Sequence, residues 1–161
     1  MMADIVKESA SEEHQKLVKA LVDKFMNDGL EIVRAAYRGY DKPYKIGRYE
    51  PDVIARNPIT ELVVIGEAKR CNDLACKRTH EQFADFSSRE MLDGKSKGAN
   101  VPLRIMVPQS CANYAASVLA AFDLDNKGNI EIWRCVNTDL QTVRAHTFCN
   151  ERRSDFGWPH E

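Results

Sequence analysis

Between Ser9 and Asp28, Leu17, Ala20, Leu21 and Phe25 recur at helical spacing, and Val18 and Val22 widen the stripe. This pattern predicts an amphipathic helix. Ser9 with Glu12 matches a capping box, Ser11 is a rival cap, and Gly29 after Asn27-Asp28 supplies a stop. The period then changes. Leu30 to Tyr37 alternates and predicts a first strand, whereas Arg38 to Tyr49 is polar, aromatic and glycine-punctuated and reads as a long loop or ragged strand ends. Asp52 to Arg56 predicts a short strand. Asn57-Pro58 marks a turn, because proline lacks the amide a ladder needs, and Glu61 to Lys69 follows as a strand centred on Leu62-Val63-Val64-Ile65. The two segments predict an antiparallel hairpin.

Leu74 to Leu92 reads as a second helix with Phe83, Phe86 and Met91 turned to the core. After a turn over Lys95 to Asn100 come a strand at Leu103 to Val107 ended by Pro108, an apolar helix at Asn113 to Leu124, a turn at Gly128 and a strand at Ile130 to Val136. The order is helix, three strands, helix, strand, helix, strand. The strand-helix-strand portion at the end favours a parallel crossover. The expectation is a mixed-sheet α/β domain with helices on both sides, a single domain over 1–161. Residues 137–161 form a C-terminal extension of weaker periodicity, with Val143, Phe148, Phe156 and Trp158 as anchors on the body or on a partner chain.

Composition changes this picture little. The 161 residues are 43% hydrophobic and 29% charged, ordinary values for a folded domain large enough to bury a core. The absence of a leader-like start and of any run long enough to span a membrane sets cytoplasmic residence, with no membrane partner, as the expectation. The five cysteines are odd in number and their spacings fit zinc poorly, so they are expected to be mainly reduced thiols rather than a disulfide framework. Net charge is −1, which does not advertise nucleic-acid binding. Charge is unevenly placed, however: Arg34, Arg38, Lys42, Lys45 and Arg48 face only Asp41 in their segment, a strip able to bind phosphates or simply to form a solvated loop.

The candidate chemistry sits on the hairpin. Asp52 begins one strand, and Glu67 and Lys69 end the next, pointing to the same face with Ala68 opposite; Gly66 leaves space on that opposite face. Paired carboxylates suit Mg²⁺ or Mn²⁺, which prefer oxygen ligands, and a lysine beside them can stabilise charge on a phosphate. An edge hairpin with a surface salt bridge is the alternative reading of the same residues.

The segments Arg48-Tyr49-Glu50-Pro51-Asp52-Val53-Ile54-Ala55 and Val63-Val64-Ile65-Gly66-Glu67-Ala68-Lys69-Arg70 resemble the PD-(D/E)xK nuclease superfamily in its Glu-x-Lys form, which includes restriction endonucleases and Holliday-junction resolvases. The resemblance spans roughly Ser9 to Val136. It implies a restriction-endonuclease-like αβββαβ core, Asp52 and Glu67 as Mg²⁺ ligands, Lys69 at the hydrolytic water, and products carrying a 5′-phosphate. By the same resemblance Glu13 on the first helix is a further acidic ligand, with Glu12 its rival, and Gln82 on the second helix binds backbone phosphate or orients the lysine. His14 lies nearby, and a lone helical histidine reads as structural or exposed. His80 is a weaker candidate. Arg70, Lys77 and Arg78 are candidate phosphate contacts beside the strip from Arg34 to Arg48. The expected function is Mg²⁺-dependent DNA endonuclease; the alternative is a catalytically inactive DNA- or protein-binding module of the same fold. A homodimer, and a protein partner supplying specificity, are compatible with either.

Overall fold

The computed structural model describes residues 9–136. The elements are α1 (Ala10–Asn27), β1 (Glu31–Ala35), β2 (Val53–Arg56), β3 (Val63–Ala68), α2 (Lys77–Phe86), β4 (Leu103–Pro108), α3 (Ala112–Ala121) and β5 (Ile130–Cys135). Short 3₁₀ turns at Cys71–Asp73 and Gln109–Cys111 lead into α2 and α3. The five strands form one mixed sheet in the order β1-β2-β3-β4-β5. The first three are antiparallel; β3 with β4 and β4 with β5 are parallel, each joined through a helix. A break in register between Ile32 and Arg34 puts a bulge in β1. Residues 137–161, including the expected anchors in the C-terminal extension, lie outside the described residues.

The first helix starts and stops for local reasons. The Ser9 hydroxyl accepts from the Glu12 amide at 3.0 Å, and the Glu12 carboxylate accepts from the Ser9 amide at 3.0 Å, closing the capping box. At the other end Gly29 takes φ +88°, a left-handed turn that releases the chain into β1. The second helix is shorter than the expected span from Leu74 to Leu92. The Ser88 hydroxyl folds back to the Ala84 carbonyl at 2.7 Å, and Glu90 then bridges to Asn100 instead of continuing the helix. Met91 still packs against the core, but from this loop.

The sheet separates two apolar clusters. Leu17, Leu21 and Phe25 of α1 pack on one face with Val53, Ala55, Val64 and Ala68, while Phe83, Phe86, Val118 and Leu119 cover the other with Ile65, Leu103 and Ile105. The alternation of Val64 and Ile65 to opposite clusters follows the strand period. Gly66 faces α1 so closely that an added Cβ would come within 2.8 Å of Phe25 and 3.1 Å of Leu21. Among the described residues no helix is long and apolar enough to cross a membrane.

The expectation of mainly reduced thiols is corrected: Cys71, Cys76 and Cys111 are disulfide-bonded. Cys71 opens, and Cys111 closes, the 3₁₀ turns that follow the parallel neighbours β3 and β4, so a separation of 40 residues in sequence becomes a Cα–Cα distance of 5.9 Å, and the two are joined in a disulfide. Cys135 is a buried free thiol. Cys149 is outside the described residues.

Candidate functional site

The hairpin register builds the centre of the site. Val53 pairs with Gly66, which sets Asp52 one step further on, opposite Glu67. The Asp52 amide donates to the Glu67 carboxylate at 3.1 Å and to the Gly66 carbonyl at 3.1 Å. In return, the Ala68 amide donates to the Asp52 carboxylate at 2.8 Å. The two carboxylates are thus latched to each other's strand by backbone N–H groups.

Lys69 follows β3 on the same face as Glu67, its amide fixed to the Met106 carbonyl of β4 at 3.0 Å. The ammonium donates to the Gln82 side-chain oxygen on α2 and lies 3.6 Å from Glu67 Oε2. The crossover from β3 into α2 thereby returns Gln82 to the strand it left. From the opposite side, α1 presents Glu13 and His14. His14 Nε2 stands 3.2 Å from Asp52 Oδ2, and Glu13 Oε1 lies 3.9 Å from Nη1 of Arg70, which also holds Asp73 at 2.9 Å. The structure therefore brings together Asp52, Glu67, Lys69 and Gln82, with Glu13 reaching Arg70 beside them, and none of these five is more than 9% exposed.

Burial makes the charges of this cluster matter. Glu67 is held well above the ordinary glutamate range, first because it is cut off from water and then because Asp52 is beside it; Lys69 opposes the effect. For His14 burial favours the neutral ring, but the hydrogen bond and charge of Asp52 outweigh it and raise its pKa. Asp73 joins the acids, and Lys69 and Arg70 are the fixed cations between them. Hard oxygen donors in surplus negative charge fit Mg²⁺ or Mn²⁺ chemically. Among the described residues, however, no group of three His, Cys, Asp or Glu side chains is arranged to hold a metal. The partners named above explain this: Asp52 turns to the Ala68 amide and His14, Glu67 to the Asp52 amide, and Glu13 toward Arg70. The Glu67 and Asp52 carboxyls are nonetheless close enough for a side-chain hydrogen bond between them.

The expected phosphate contacts divide. Arg70 is drawn into the cluster. Arg48 lies across α2, where its guanidinium and amide clasp Asp85 at 2.9–3.0 Å and Nη1 reaches Glu81 at 3.5 Å. Arg34 donates to the Lys42 carbonyl, and Lys42 pairs with Glu50 at 3.4 Å. Arg38, Lys45, Lys77 and Arg78 are exposed, and Arg78 sits 4.8 Å over the Tyr49 ring. His80 stacks on Phe122 at 4.3 Å, away from the carboxylates. The contacts that sequence reasoning did not assign are those of His14 with Asp52 and of Asp73 with Arg70. The first had a signal in its adjacency to Glu13, the second in the three-residue spacing from Arg70.

Comparison with known protein families, curated proteins and solved structures finds no match to this chain.

Proposed function

We propose that the cluster around Asp52, Glu67 and Lys69 is the active centre of a Mg²⁺-dependent DNA endonuclease, built on the restriction-endonuclease-like αβββαβ core that the sequence resemblance implies. One observation carries the reading: the hairpin sets Asp52 opposite Glu67, and the Lys69 ammonium is held beside them by Gln82 in a buried setting. Asp52 and Glu67, with Glu13, would hold Mg²⁺ (Mn²⁺ as substitute), which supplies neutralisation of phosphate oxygens and a water of lowered pKa.

The chain's own residues supply the rest. Lys69 stabilises the charge that grows on the phosphate as water attacks in line, and Gln82 keeps the ammonium from collapsing fully onto Glu67. His14 fixes the orientation of Asp52. Low exposure limits competing bulk water, so each of these interactions is stronger than it would be on the surface.

The test is cleavage of plasmid, linear, single-stranded and branched DNA with Mg²⁺ or Mn²⁺. Lys69→Ala should lower turnover by about 10²–10³-fold, the usual scale for loss of one such stabilising group, while metal binding measured by calorimetry is largely retained. Normal cleavage by this variant would remove Lys69 from the mechanism. A second reading, a non-catalytic DNA- or protein-binding module, draws on the closed network of partners around the carboxylates. It predicts a folded chain with no binding heat at millimolar Mg²⁺ or Mn²⁺ and no cleavage of any substrate.

A further inference from the structure

A groove of about 710 Å³ runs between the outer side of α1 and the C-terminal ends of β4 and β5. Lys16, Lys19 and Lys24 line it from the helix and Arg134 from the edge strand, and Asp23 is the one acid among the described lining residues. All four cationic side chains are exposed. The pairings of Lys19 and Lys24 are weak ones. Lys19 meets Asp23 and Lys24 meets Asp28 as i,i+4 surface pairs, with the paired side chains 42–60% exposed. Such pairs contribute little in water and exchange readily for a phosphate. Lys24 also lies 4.7 Å over the Trp133 ring, which holds the ammonium at the groove wall.

Two features connect the groove to the site. Met106 lines it, and the Met106 carbonyl anchors the Lys69 amide at 3.0 Å. Lys16 follows Glu13 by three residues, one helical turn along α1. From Lys16 to Lys24 the helix advances roughly 12 Å, a length that successive phosphates of one strand can follow. In the strip from Arg34 to Arg48, Arg48 is clasped by Asp85 through both its amide and its guanidinium.

We propose that this groove seats the phosphodiester backbone of a DNA strand and leads it to Asp52, Glu67 and Lys69. The destination rests on the nuclease reading; the binding itself does not. The backbone is recognised by charge, so affinity is independent of sequence and falls steeply with salt.

The experiment is fluorescence anisotropy of the full chain with fluorescein-labelled single-stranded DNA in EDTA, across a range of NaCl concentrations. Lys16→Glu with Arg134→Glu should weaken binding at least about tenfold at ~0.1 M salt and flatten the logarithmic salt slope by roughly 1.4, two contacts at ~0.7 each. Melting temperature should stay within a degree or so, because both residues are exposed. Lys97→Glu with Lys127→Glu changes net charge equally on distant loops and should leave affinity near the wild-type value. Equal affinity and slope in the groove variant and the wild type would overturn the inference. Unchanged affinity with a lowered melting temperature would also overturn it, by giving the groove to another part of the chain. The two proposals separate cleanly. Binding through the groove without cleavage in Mg²⁺ sinks the nuclease reading alone, and full cleavage by the groove variant sinks the groove alone.

Discussion

Burial sets Glu67 against its own charge, and this has a consequence that can be measured without any substrate. Its pKa in the folded chain lies above the ordinary value, so the folded state binds the proton more tightly than the unfolded state does. Stability is therefore lost as pH rises from the ordinary glutamate range toward the raised value. His14 adds the same sign: its raised pKa gives stability that is complete below the ordinary histidine range and is lost as pH climbs past the folded value. In EDTA, thermal melts should show a lower melting temperature at pH 8 than at pH 5, and Glu67→Gln should flatten that slope. Mg²⁺ should stabilise the wild type more at pH 8 than at pH 5, since ligation requires the ionised carboxylate. An identical slope in wild type and Glu67→Gln would show that Glu67 is not the group responsible. The Asp52, Glu67 and Lys69 set was readable in sequence because a hairpin turns spacing into proximity. The partners of Arg48 were not: Asp85 lies 37 residues away on another element, and no local pattern marks it.

Among the elements, β3 does most to position the chemistry. The missing side chain at Gly66 lets α1 approach, and α1 is what delivers Glu13 and His14. Gly66→Ala should destabilise the fold by about 1–3 kcal/mol, the usual cost of overpacking, because the new methyl meets Phe25 and Leu21 in a filled core. It should also disturb the contact between His14 and Asp52, visible as a change in the histidine ring chemical shift. A stable variant with unaltered histidine resonances would mean that α1 is not set by this contact. The succession of strands and helices along the chain was legible from changes of period. The end of α2 was not, because serine back-bonding at Ala84 and a loop bridge to Asn100 stop it, with neither glycine nor proline to announce the end.

Across the whole molecule, the Cys71–Cys111 bond ties the exits of two parallel strands together around the site. Its cysteines are 40 residues apart, a loop whose closure restricts the unfolded chain by about 4 kcal/mol in the entropic estimate. A thiol reductant, or Cys71→Ser, should lower the melting temperature by several degrees or more. No change under full reduction, verified by thiol titration, would show that packing alone holds these turns. The pairing was invisible in sequence because only the β3 and β4 crossover brings the two turns side by side. The strand order also carries a consequence in time. Glu13, Asp52, Glu67, Lys69 and Gln82 all precede β4, yet Lys69 takes its backbone anchor from Met106 on that strand. As the chain leaves the ribosome, every acid and base of the cluster emerges before the strand that fastens the lysine. A nascent chain truncated before Leu103 carries the full chemical set without the frame that holds it to one geometry, so the cluster takes its final shape late in synthesis, as β4 docks.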